Sequence, residues 1–387
     1  MKSFSKIENG MKVIVTGGGT GGHIYPALAV ATCLAGKPNV EAVYYLGKKG
    51  GLESELAIQA GFPFIGIAFA GMPRGKSPLT LLKIFLWLLN LAQATFTALG
   101  EIQKIQPAMI FGTGGYVSAP VLLAARILKI PYAVHEPDAQ PGLANRFLGR
   151  YASLITTSFK AGAERLRQNP TQTILVTGNP IRQDIGQLGR DEARKTFGEQ
   201  WPNDKPILLV TGGSQGARKL NMALVEILPT LLNQWNIAVL HLTGKKLYDE
   251  TMLALDQADP NFKMHTAYQV KPFNSDMATW LAAANVALCR SGSLSLSEMY
   301  ACALPTVLVP YPFAAADHQR RNAEASVAAG ASFMLDDAEC TGPRLLEVLK
   351  PLFQDPAIYN AMQQASRGLG HPEATEKITE ALLQLAK

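Results

Sequence analysis

Val13–His23 reads Val-Ile-Val-Thr-Gly-Gly-Gly-Thr-Gly-Gly-His, an apolar, β-branched run that passes into five glycines and ends on a histidine. The residues that follow, 26–34, are small and apolar at helical spacing. This order predicts a strand, a tight turn and a helix, which together bring backbone N–H groups to the turn and suit an anionic ligand. His23 adds an ionisable side chain at the same place.

The same pattern returns in the second half of the chain. Ile207–Val210 predicts a strand, Gly212–Ala217 reads Gly-Gly-Ser-Gln-Gly-Ala and predicts a turn, and the residues up to Leu232 predict a helix. Strands and helices alternate on both sides of these two turns, which is typical of parallel sheets covered by helices on both faces. The sequence therefore predicts an α/β fold that is built twice.

The alternation is broken at Gly178-Asn179-Pro180-Ile181-Arg182, and polar residues follow. We therefore predict two Rossmann-like domains, residues 1–182 and 183–370, with a C-terminal helix at 371–387 that packs back on the first domain. Two such domains facing each other across a cleft usually bind their ligand between them.

Composition limits the classes of function. The chain has 387 residues, 48% of them hydrophobic and 17% charged, which indicates a globular protein with a large interior. The formal charge of +6 suits anionic lipid head groups or phosphorylated substrates. Nucleic acid is not expected, because no dense Arg/Lys tract with interleaved aromatic residues occurs. The four scattered cysteines lack metal-ligand spacing, and no signal peptide is recognisable, so we expect a cytoplasmic protein without a metal site or cofactor.

Leu79–Ala92 is the most apolar stretch. Its length of about 14 residues falls short of the roughly 20 that a spanning helix needs. This favours a buried helix that continues to Ile105. The alternative is an interfacial helix whose apolar side touches a bilayer, with Arg74, Lys76 and Lys83 on the lipid phosphates.

The glycine turn does not fit a dinucleotide site. Gly17–Gly22 satisfies G-x-G-x-x-G, but the second strand lacks the acidic residue at its end that would bind the ribose; Glu41 lies at its start instead. A nucleotide-sugar transferase explains more. The chain contains no D-x-D motif, so we expect metal-independent transfer in which backbone N–H groups, helix N-termini, hydroxyls or Arg182 meet the diphosphate charge. Arg182 in a linker salt bridge is the alternative.

The motifs resemble those of the MurG family, N-acetylglucosaminyltransferases of peptidoglycan synthesis with the two-domain GT-B fold. The matching segments run in family order from about residue 11 to 330: Gly18–His23, Gly112–Ser118, His135-Glu136, Gly178–Arg182, Gly212–Arg218, Cys289–Ser293, Ser297-Glu298, Asp317-His318-Gln319 and Asn322-Ala323. The resemblance implies inverting transfer of GlcNAc from UDP-GlcNAc to the muramyl C4 hydroxyl of Lipid I, giving Lipid II. A GT-B enzyme with another lipid or small-molecule acceptor is the alternative.

The resemblance also assigns binding residues. In the C-terminal domain, Ser214 would touch the diphosphate, the Asn274 backbone the uracil, Glu298 the ribose and Gln319 the GlcNAc hydroxyls, while the nucleotide would be lined by Ser293, Leu294, Ser295, Leu296 and Ser297. The alternative for Glu298 is an acidic residue that is simply favourable in the first turn of a helix. The N-terminal loops would face the acceptor diphosphate and the donor sugar through Thr20, Gly21, Gly22, Gly114, Gly115 and Tyr116.

His23 is the expected general base, since imidazole has an ordinary pKa near 6.5 and a helix N-terminus favours its neutral form. The alternative is a histidine that caps the helix or bonds the glycine turn. His135 and Glu136 are supporting catalytic candidates, or else a buried polar pair that orients a loop. The family commonly has His-Glu-Gln-Asn where this chain has His135-Glu136-Pro137-Asp138. Asp138 can therefore accept, but not donate, hydrogen bonds at the sugar.

These assignments give the expected setting of the protein. We expect a peripheral protein on the cytoplasmic face of the bacterial cell membrane. It would meet UDP-GlcNAc, Lipid I, an anionic lipid surface and other proteins of cell-wall synthesis.

Overall fold

The computed structural model describes residues 10–73, 78–166, 172–198, 201–202, 204–213 and 215–386. The chain forms two compact units, Met1–Arg182 with Glu373–Lys387, and Gln183–Pro372.

The first unit is a seven-stranded parallel sheet in the order β3-β2-β1-β4-β5-β6-β7. Its strands are β1 Met11–Thr16, β2 Val40–Lys48, β3 Phe64–Ile67, β4 Met109–Gly112, β5 Tyr132–Glu136, β6 Leu154–Thr157 and β7 Thr173–Val176. Its helices up to the domain boundary are α1 Gly21–Ala35, α2 Leu52–Gln59, α3 Pro78–Ile105, α4 Ser118–Ile127, α5 Leu143–Leu148 and α6 Lys160–Leu166. Thr16 pairs with Gly112, so the turns that follow β1 and β4 start at the same edge of the sheet.

Both faces of this sheet are buried. Ile14 of β1 belongs to one core cluster, while Val13 and Val15 belong to the cluster on the other face. Alternate residues of a strand point to opposite faces, so a β-branched run without polar residues is what a strand covered on both sides requires.

The second unit is a six-stranded parallel sheet in the order β10-β9-β8-β11-β12-β13. Its strands are β8 Ile207–Thr211, β9 Ala238–Leu242, β10 Tyr268–Lys271, β11 Val286–Cys289, β12 Thr306–Leu308 and β13 Ser332–Met334. Its helices are α7 Arg190–Lys195, α8 Arg218–Pro229, α9 Tyr248–Ala258, α10 Met277–Ala283, α11 Ser293–Ala301, α12 His318–Ala328, α13 Gly342–Gln354 and α14 Pro356–Leu369. The predicted α/β class with two parallel sheets is confirmed.

The last helix, α15 Ala374–Leu385, belongs to the first unit. Its buried Ile378 and Leu382 complete the core cluster that contains Val30 and Leu34 of α1. At the start of the helix, the Thr375 hydroxyl donates to the carbonyl oxygen of Ile181 at 3.1 Å. Helices α1 and α15 thus share one core.

Helix α3 differs from the prediction of a buried helix. Its C-terminal half packs into the core through Ala94, Ala98, Ile102 and Ile105. In its N-terminal half, several apolar residues are more than half exposed: Leu82, Phe85, Leu86, Leu88 and Leu89. The buried-helix prediction is therefore wrong for that half, because the side chains of an apolar run point all round a helix and only one side of this one meets the sheet.

The folded helix is longer than the apolar run of about 14 residues from which the sequence argument started. Leu82–Ile105 is 24 residues long with a mean hydropathy of 1.4, so by length and composition it could cross a bilayer, and 17% of the apolar window is buried. Arg74 and Lys76, the predicted lipid-contacting cations, lie outside the described residues, whereas Lys83 is exposed.

Candidate functional site

Two glycine loops of the first unit contact each other backbone to backbone, where β1 and β4 end. The Thr113 hydroxyl donates to the His23 carbonyl oxygen at 2.6 Å. A Cβ atom on Gly115 would lie 2.3 Å from the Gly18 carbonyl oxygen, and one on Gly17 would lie 1.9 Å from the Thr113 hydroxyl. The glycines are therefore required by this close approach.

His23 is the third residue of α1, and its imidazole is half-buried. The ring lies over the second glycine loop, since Cβ atoms on Gly114 and Gly115 would come within 3.4 and 3.2 Å of it. Both glycines have positive φ, 95° and 76°. The imidazole therefore occupies space that a side chain at position 114 or 115 would fill.

The predicted ligand-binding residues beside His23 are accessible. Thr20 is exposed and Gly21 and Gly22 are half-buried at the start of α1. The Thr20 side chain forms no capping hydrogen bond with the first-turn amides of this helix. These N–H groups and the positive end of the helix suit an anion.

Tyr116 forms a wall of the same site. Its ring lies 3.2 Å from the position of a Cβ atom on Gly19 and 3.4 Å from that on Gly71. It packs against Phe69 with ring centroids 6.1 Å apart, and Phe69 packs in turn against Trp87 of α3 at 5.7 Å. Aromatic packing therefore joins the glycine turn to the base of the exposed half of α3.

His135 is completely buried at the end of β5. Its Nε2 lies 3.0 Å from Oδ1 of Asn179 and its Nδ1 lies 3.0 Å from the Thr156 hydroxyl. Because an amide oxygen only accepts, Nε2 carries the proton in this arrangement and Nδ1 accepts from Thr156. Burial lowers the pKa of His135 to about 4, so the ring is neutral near pH 7.

Glu136 is buried beside it and organises the loop that follows β5. Its carboxylate accepts hydrogen bonds from the backbone N–H groups of Asp138 and Gly142, at 3.0 and 3.1 Å, and from Nδ2 of Asn145 at 3.0 Å. Burial and the neighbouring Asp138 charge raise the pKa of Glu136 to about 8, while these donors oppose the rise.

The catalytic role predicted for His135 and Glu136 does not fit this geometry. Both ring nitrogens and both carboxylate oxygens are occupied inside the protein, and the side chains are 0% and 1% exposed. The contacts match the alternative of a buried polar pair that orients a loop. That loop carries Asp138, which is half-buried, as is Arg182 at the end of the first unit.

The glycine loop of the second unit is held by its own backbone. The Gly213 N–H donates to the Thr211 hydroxyl at 3.1 Å, and the Gly216 N–H donates to the Gly213 carbonyl oxygen at 2.9 Å. A Cβ atom on Gly216 would lie 2.1 Å from the Thr243 carbonyl oxygen after β9. Ser214 lies outside the described residues.

The predicted nucleotide-lining run forms the first turns of α11. Ser293 is buried, and Leu294, Ser295, Ser297 and Glu298 are half-buried. The Leu296 side chain is fully buried, so its backbone is left for the predicted contact with the nucleotide. Helical spacing turns Leu296 toward the core when its neighbours face outward.

Gln319 and Asn274, two predicted ligand-binding residues, both form hydrogen bonds that hold loops. Oε1 of Gln319 accepts from the Tyr311 N–H at 2.9 Å, and its carbonyl oxygen accepts from the Ser291 hydroxyl at 2.8 Å. The Asn274 side chain bonds the backbone of Asp276 at 2.8 and 3.2 Å, which leaves the Asn274 backbone for the predicted contact. Ala316 and Asp317, just before α12, have positive φ of 51° and 55°. Such strain is common at ligand sites.

The sequence reasoning missed two residues of the first site. Glu53 is buried under the glycine turn: its Oε1 accepts from the Lys48 N–H at 3.1 Å, and a Cβ atom on Gly18 would lie 2.4 Å from that oxygen. Asn145 donates to the His135 carbonyl oxygen at 2.9 Å as well as to Glu136. Glu53 follows Gly50-Gly51 in the first turn of a helix, and this position was the only indication in the sequence that it could contact the glycine turn.

Across the described residues, no group of three or more His, Cys, Asp or Glu side chains is placed to hold a metal ion.

Comparison with known proteins covers both units. The glycosyltransferase family 28 N-terminal domain matches residues 13–157 and the C-terminal domain of that family matches residues 207–378. The UDP-N-acetylglucosamine--N-acetylmuramyl-(pentapeptide) pyrophosphoryl-undecaprenol N-acetylglucosamine transferase of Desulforudis audaxviator is 38% identical over 97% of this chain and 99% of its own. The protein of the same name from Halothermothrix orenii is 35% identical over 97% of this chain and all of its own. The crystal structure of Acinetobacter baumannii MurG, 28% identical, covers 97% of this chain and 99% of its own with a TM-score of 0.71.

Proposed function

Because the chain belongs to glycosyltransferase family 28 and, within it, to the MurG family, we propose that its two units divide one reaction, the first binding the acceptor and the second the donor. The reaction is the transfer of N-acetylglucosamine from UDP-GlcNAc to Lipid I, which forms Lipid II in peptidoglycan synthesis. The observation that carries this function is the 38% identity to a transferase of that name over 97% of the chain.

The acceptor diphosphate binds at the loops of the first unit. The start of α1, at Thr20, Gly21 and Gly22, offers N–H groups at the positive end of a helix. Gly114, Gly115 and Tyr116 form the adjacent surface toward the donor sugar. Arg182 supplies a cation for a phosphate group.

His23 is the general base in this proposal. It takes the proton of the muramyl C4 hydroxyl while that oxygen attacks the anomeric carbon of GlcNAc, the bond from this carbon to the diphosphate oxygen breaks, and UDP leaves with inversion. The half-buried imidazole over Gly114 and Gly115 supports this assignment. His135 and Glu136 are positioning residues, and they hold the loop that presents Asp138 to the sugar.

The donor binds in the second unit. The N-terminal turns of α11, from Ser293 to Ser297, line the nucleotide, and Glu298 holds the ribose hydroxyls. Ser214 meets the diphosphate, the Asn274 backbone meets the uracil and Gln319 meets the GlcNAc hydroxyls. The half-buried polar side chains at the start of α11 support this assignment.

The exposed half of α3 is the membrane contact. Leu82, Phe85, Leu86, Leu88 and Leu89 enter the interface of an anionic lipid surface, with Lys83 at the phosphates. In this proposal the enzyme acts peripherally on the cytoplasmic face of the membrane, where Lipid I is the substrate. Other proteins of cell-wall synthesis remain predicted partners.

The test is an assay of the purified protein with UDP-GlcNAc and a short-chain analogue of Lipid I. UDP release that depends on the analogue, together with a product heavier by one GlcNAc residue, supports the proposal. A parallel reaction with other lipid-linked or free sugars is the control for acceptor choice. Absence of UDP release above background would contradict the proposal.

A further inference from the structure

The second unit contains a cavity of about 340 Å³ that none of the proposed substrates uses. Its walls come from residues 186–190, from the end of α11 at Ala301–Ala303, and from α14. Helix α11 follows β11 and runs back along the sheet, so its C-terminal end lies at the opposite edge from its first turns. The cavity is therefore separate from the proposed donor loop at Ser293.

The charged part of the cavity wall is cationic, and Gln363 adds an uncharged polar group. Arg190 and Arg367 line it, and among its described lining residues there is no carboxylate. Neither arginine forms an ion pair with a carboxylate of the described residues. Burial and then the neighbouring Arg190 charge lower the pKa of Arg194, one turn further along α7, while Asp191 and Asp204 oppose the shift. An anion would relieve this repulsion.

Arg190 also has an unused donor. Its Nε is buried and, within the described part of the chain, has no hydrogen-bond partner. Leaving a buried polar group without a partner is unfavourable, and a bound water or ion is one of the explanations for such a group in a native protein. A cavity of about 340 Å³ exceeds the roughly 30 Å³ share of one water and reaches the lower end of small-molecule sites.

The rest of the wall is apolar or uncharged. Leu188, Ala282, Ala301 and Ala303 offer hydrocarbon surface, and Cys302 lies between the last two. Burial raises the pKa of the Cys302 thiol to about 11, so this thiol is neutral at pH 7 and is not an activated nucleophile. The chemistry of the wall therefore fits binding of an anion with a short carbon frame.

We propose that this cavity is a second ligand site, which binds a small organic oxyanion between the guanidinium groups of Arg190 and Arg367. Guanidinium groups pair with phosphate and carboxylate through parallel N–H···O bonds. The apolar wall contacts the carbon skeleton of this anion. The site is independent of the transferase reaction.

Cys302 provides a local readout, because it is half-buried whereas Cys33, Cys289 and Cys340 are buried. The full-length protein, saturated with UDP to occupy the proposed donor site, is alkylated with iodoacetamide at mildly alkaline pH. The rate at each cysteine is followed by peptide mass spectrometry with glycerol 3-phosphate, citrate or inorganic phosphate present. We expect saturable, several-fold slower alkylation of Cys302 with at least one of the two organic anions.

The variants are Arg367→Gln and Arg190→Gln. Each should raise the half-protecting concentration about tenfold or more, because one charged pair of hydrogen bonds is lost. Arg344→Gln, an exposed arginine of α13 that pairs with Glu347, is the matched control and should change nothing. Arg367 is exposed on α14, so its replacement tests the site even if the Arg190 variant does not fold.

The outcomes are distinct. Protection by glycerol 3-phosphate alone assigns a phosphate ester, and protection by citrate alone assigns a polycarboxylate. No protection by either anion, equal protection in Arg367→Gln, or the same slowing at all four cysteines would overturn the proposal. Failure of the transferase assay would leave this readout unaffected, since alkylation of Cys302 reports only on the cavity.

Discussion

His23 follows strand β1, and His135 lies near the end of strand β5 in the same sheet. Their surroundings nevertheless give the two rings different chemistry. The His23 ring is half-buried over two glycines, while His135 has no exposed surface and both its nitrogens are bonded. A general base must reach the proton of a substrate. Of these two rings, that of His23 has exposed surface and that of His135 has none.

Replacement of His23 by alanine should therefore lower turnover by about 10²–10⁴-fold and leave UDP-GlcNAc affinity unchanged. Steady-state UDP release and equilibrium binding of UDP-GlcNAc measure the two effects. His265→Ala, in the second unit beside Asp259, is the control and should retain activity. Near-normal turnover of His23→Ala would remove its role as base.

At a pH above the Glu136 pKa of about 8, where this group is ionised, Glu136→Gln should reduce the free energy of unfolding by about 1–3 kcal/mol, because an amide NH2 group would face one of three N–H donors that bond the carboxylate. Urea denaturation measures the change. The exposed Glu164→Gln of α6 is the matched control. If Glu136→Gln were as stable as the control, the loop would not depend on this carboxylate.

The buried histidines give a pH prediction. Burial lowers the pKa of His135 to about 4 and that of His241 to about 3. The stability that depends on their neutral state is present above the unfolded pKa, about 6.5, and is lost as the pH falls through these folded values. The ring proton shifts of both residues should stay constant in NMR spectra between about pH 8 and pH 6. Titration of either ring in that range would contradict their burial.

Single residues were the least predictable level of the structure. The positions of Gly17, Gly114 and Gly115 follow from a glycine-rich pattern after a strand, which is local. Glu53 and Asn145 act through contacts with residues distant in the chain, Gly18 and His135. No local pattern distinguishes such an acid or amide from a solvated one, so they emerged only with the fold.

Helix α3 is the element in which composition and position disagree. Its apolar run predicted burial, but the sheet covers only the half that contains Ala98 and Ile102. Composition fixes how much apolar surface a helix has, and only the neighbouring elements decide which part is covered. The extent of burial could therefore not be read from residues 79–92.

Charges on the exposed half should weaken membrane binding without unfolding the protein. We expect Leu82→Glu with Phe85→Glu to reduce sedimentation with anionic vesicles, because these side chains are each 57% exposed and unneeded for the core. Ala98→Glu is the contrasting variant and should destabilise the first unit, since Ala98 is fully buried. Unfolding of the double variant would show that this half is core after all.

At the scale of the molecule, the repeated strand–turn–helix order was enough to predict two α/β units with parallel sheets. The first strand of each predicted unit runs into a turn rich in glycine, and that signal is local and strong. The contribution of α15 to the cluster of Val30 and Leu34 depends on a contact between the two ends of the chain. Amphipathic spacing shows that such a helix needs a partner but does not identify it.

Truncation of the α15 side chains should destabilise the first unit. Ile378→Ala and Leu382→Ala should each cost about 2–5 kcal/mol, because both side chains are fully buried. Limited proteolysis and urea denaturation measure the loss, with the exposed Gln384→Ala as the control. A cost no greater than that of Gln384→Ala would mean that α15 does not support this core.

The return of α15 to the first unit also sets an order of events during synthesis. The ribosome releases residues 10–182 long before Ala374–Leu385. Val30 and Leu34 therefore lack the helix that packs on them until the whole second unit has been translated. A domain made without interruption can close as it emerges. Here the unit that is started first is the last to be completed, and a nascent chain stalled before α15 should be the species that chaperones bind.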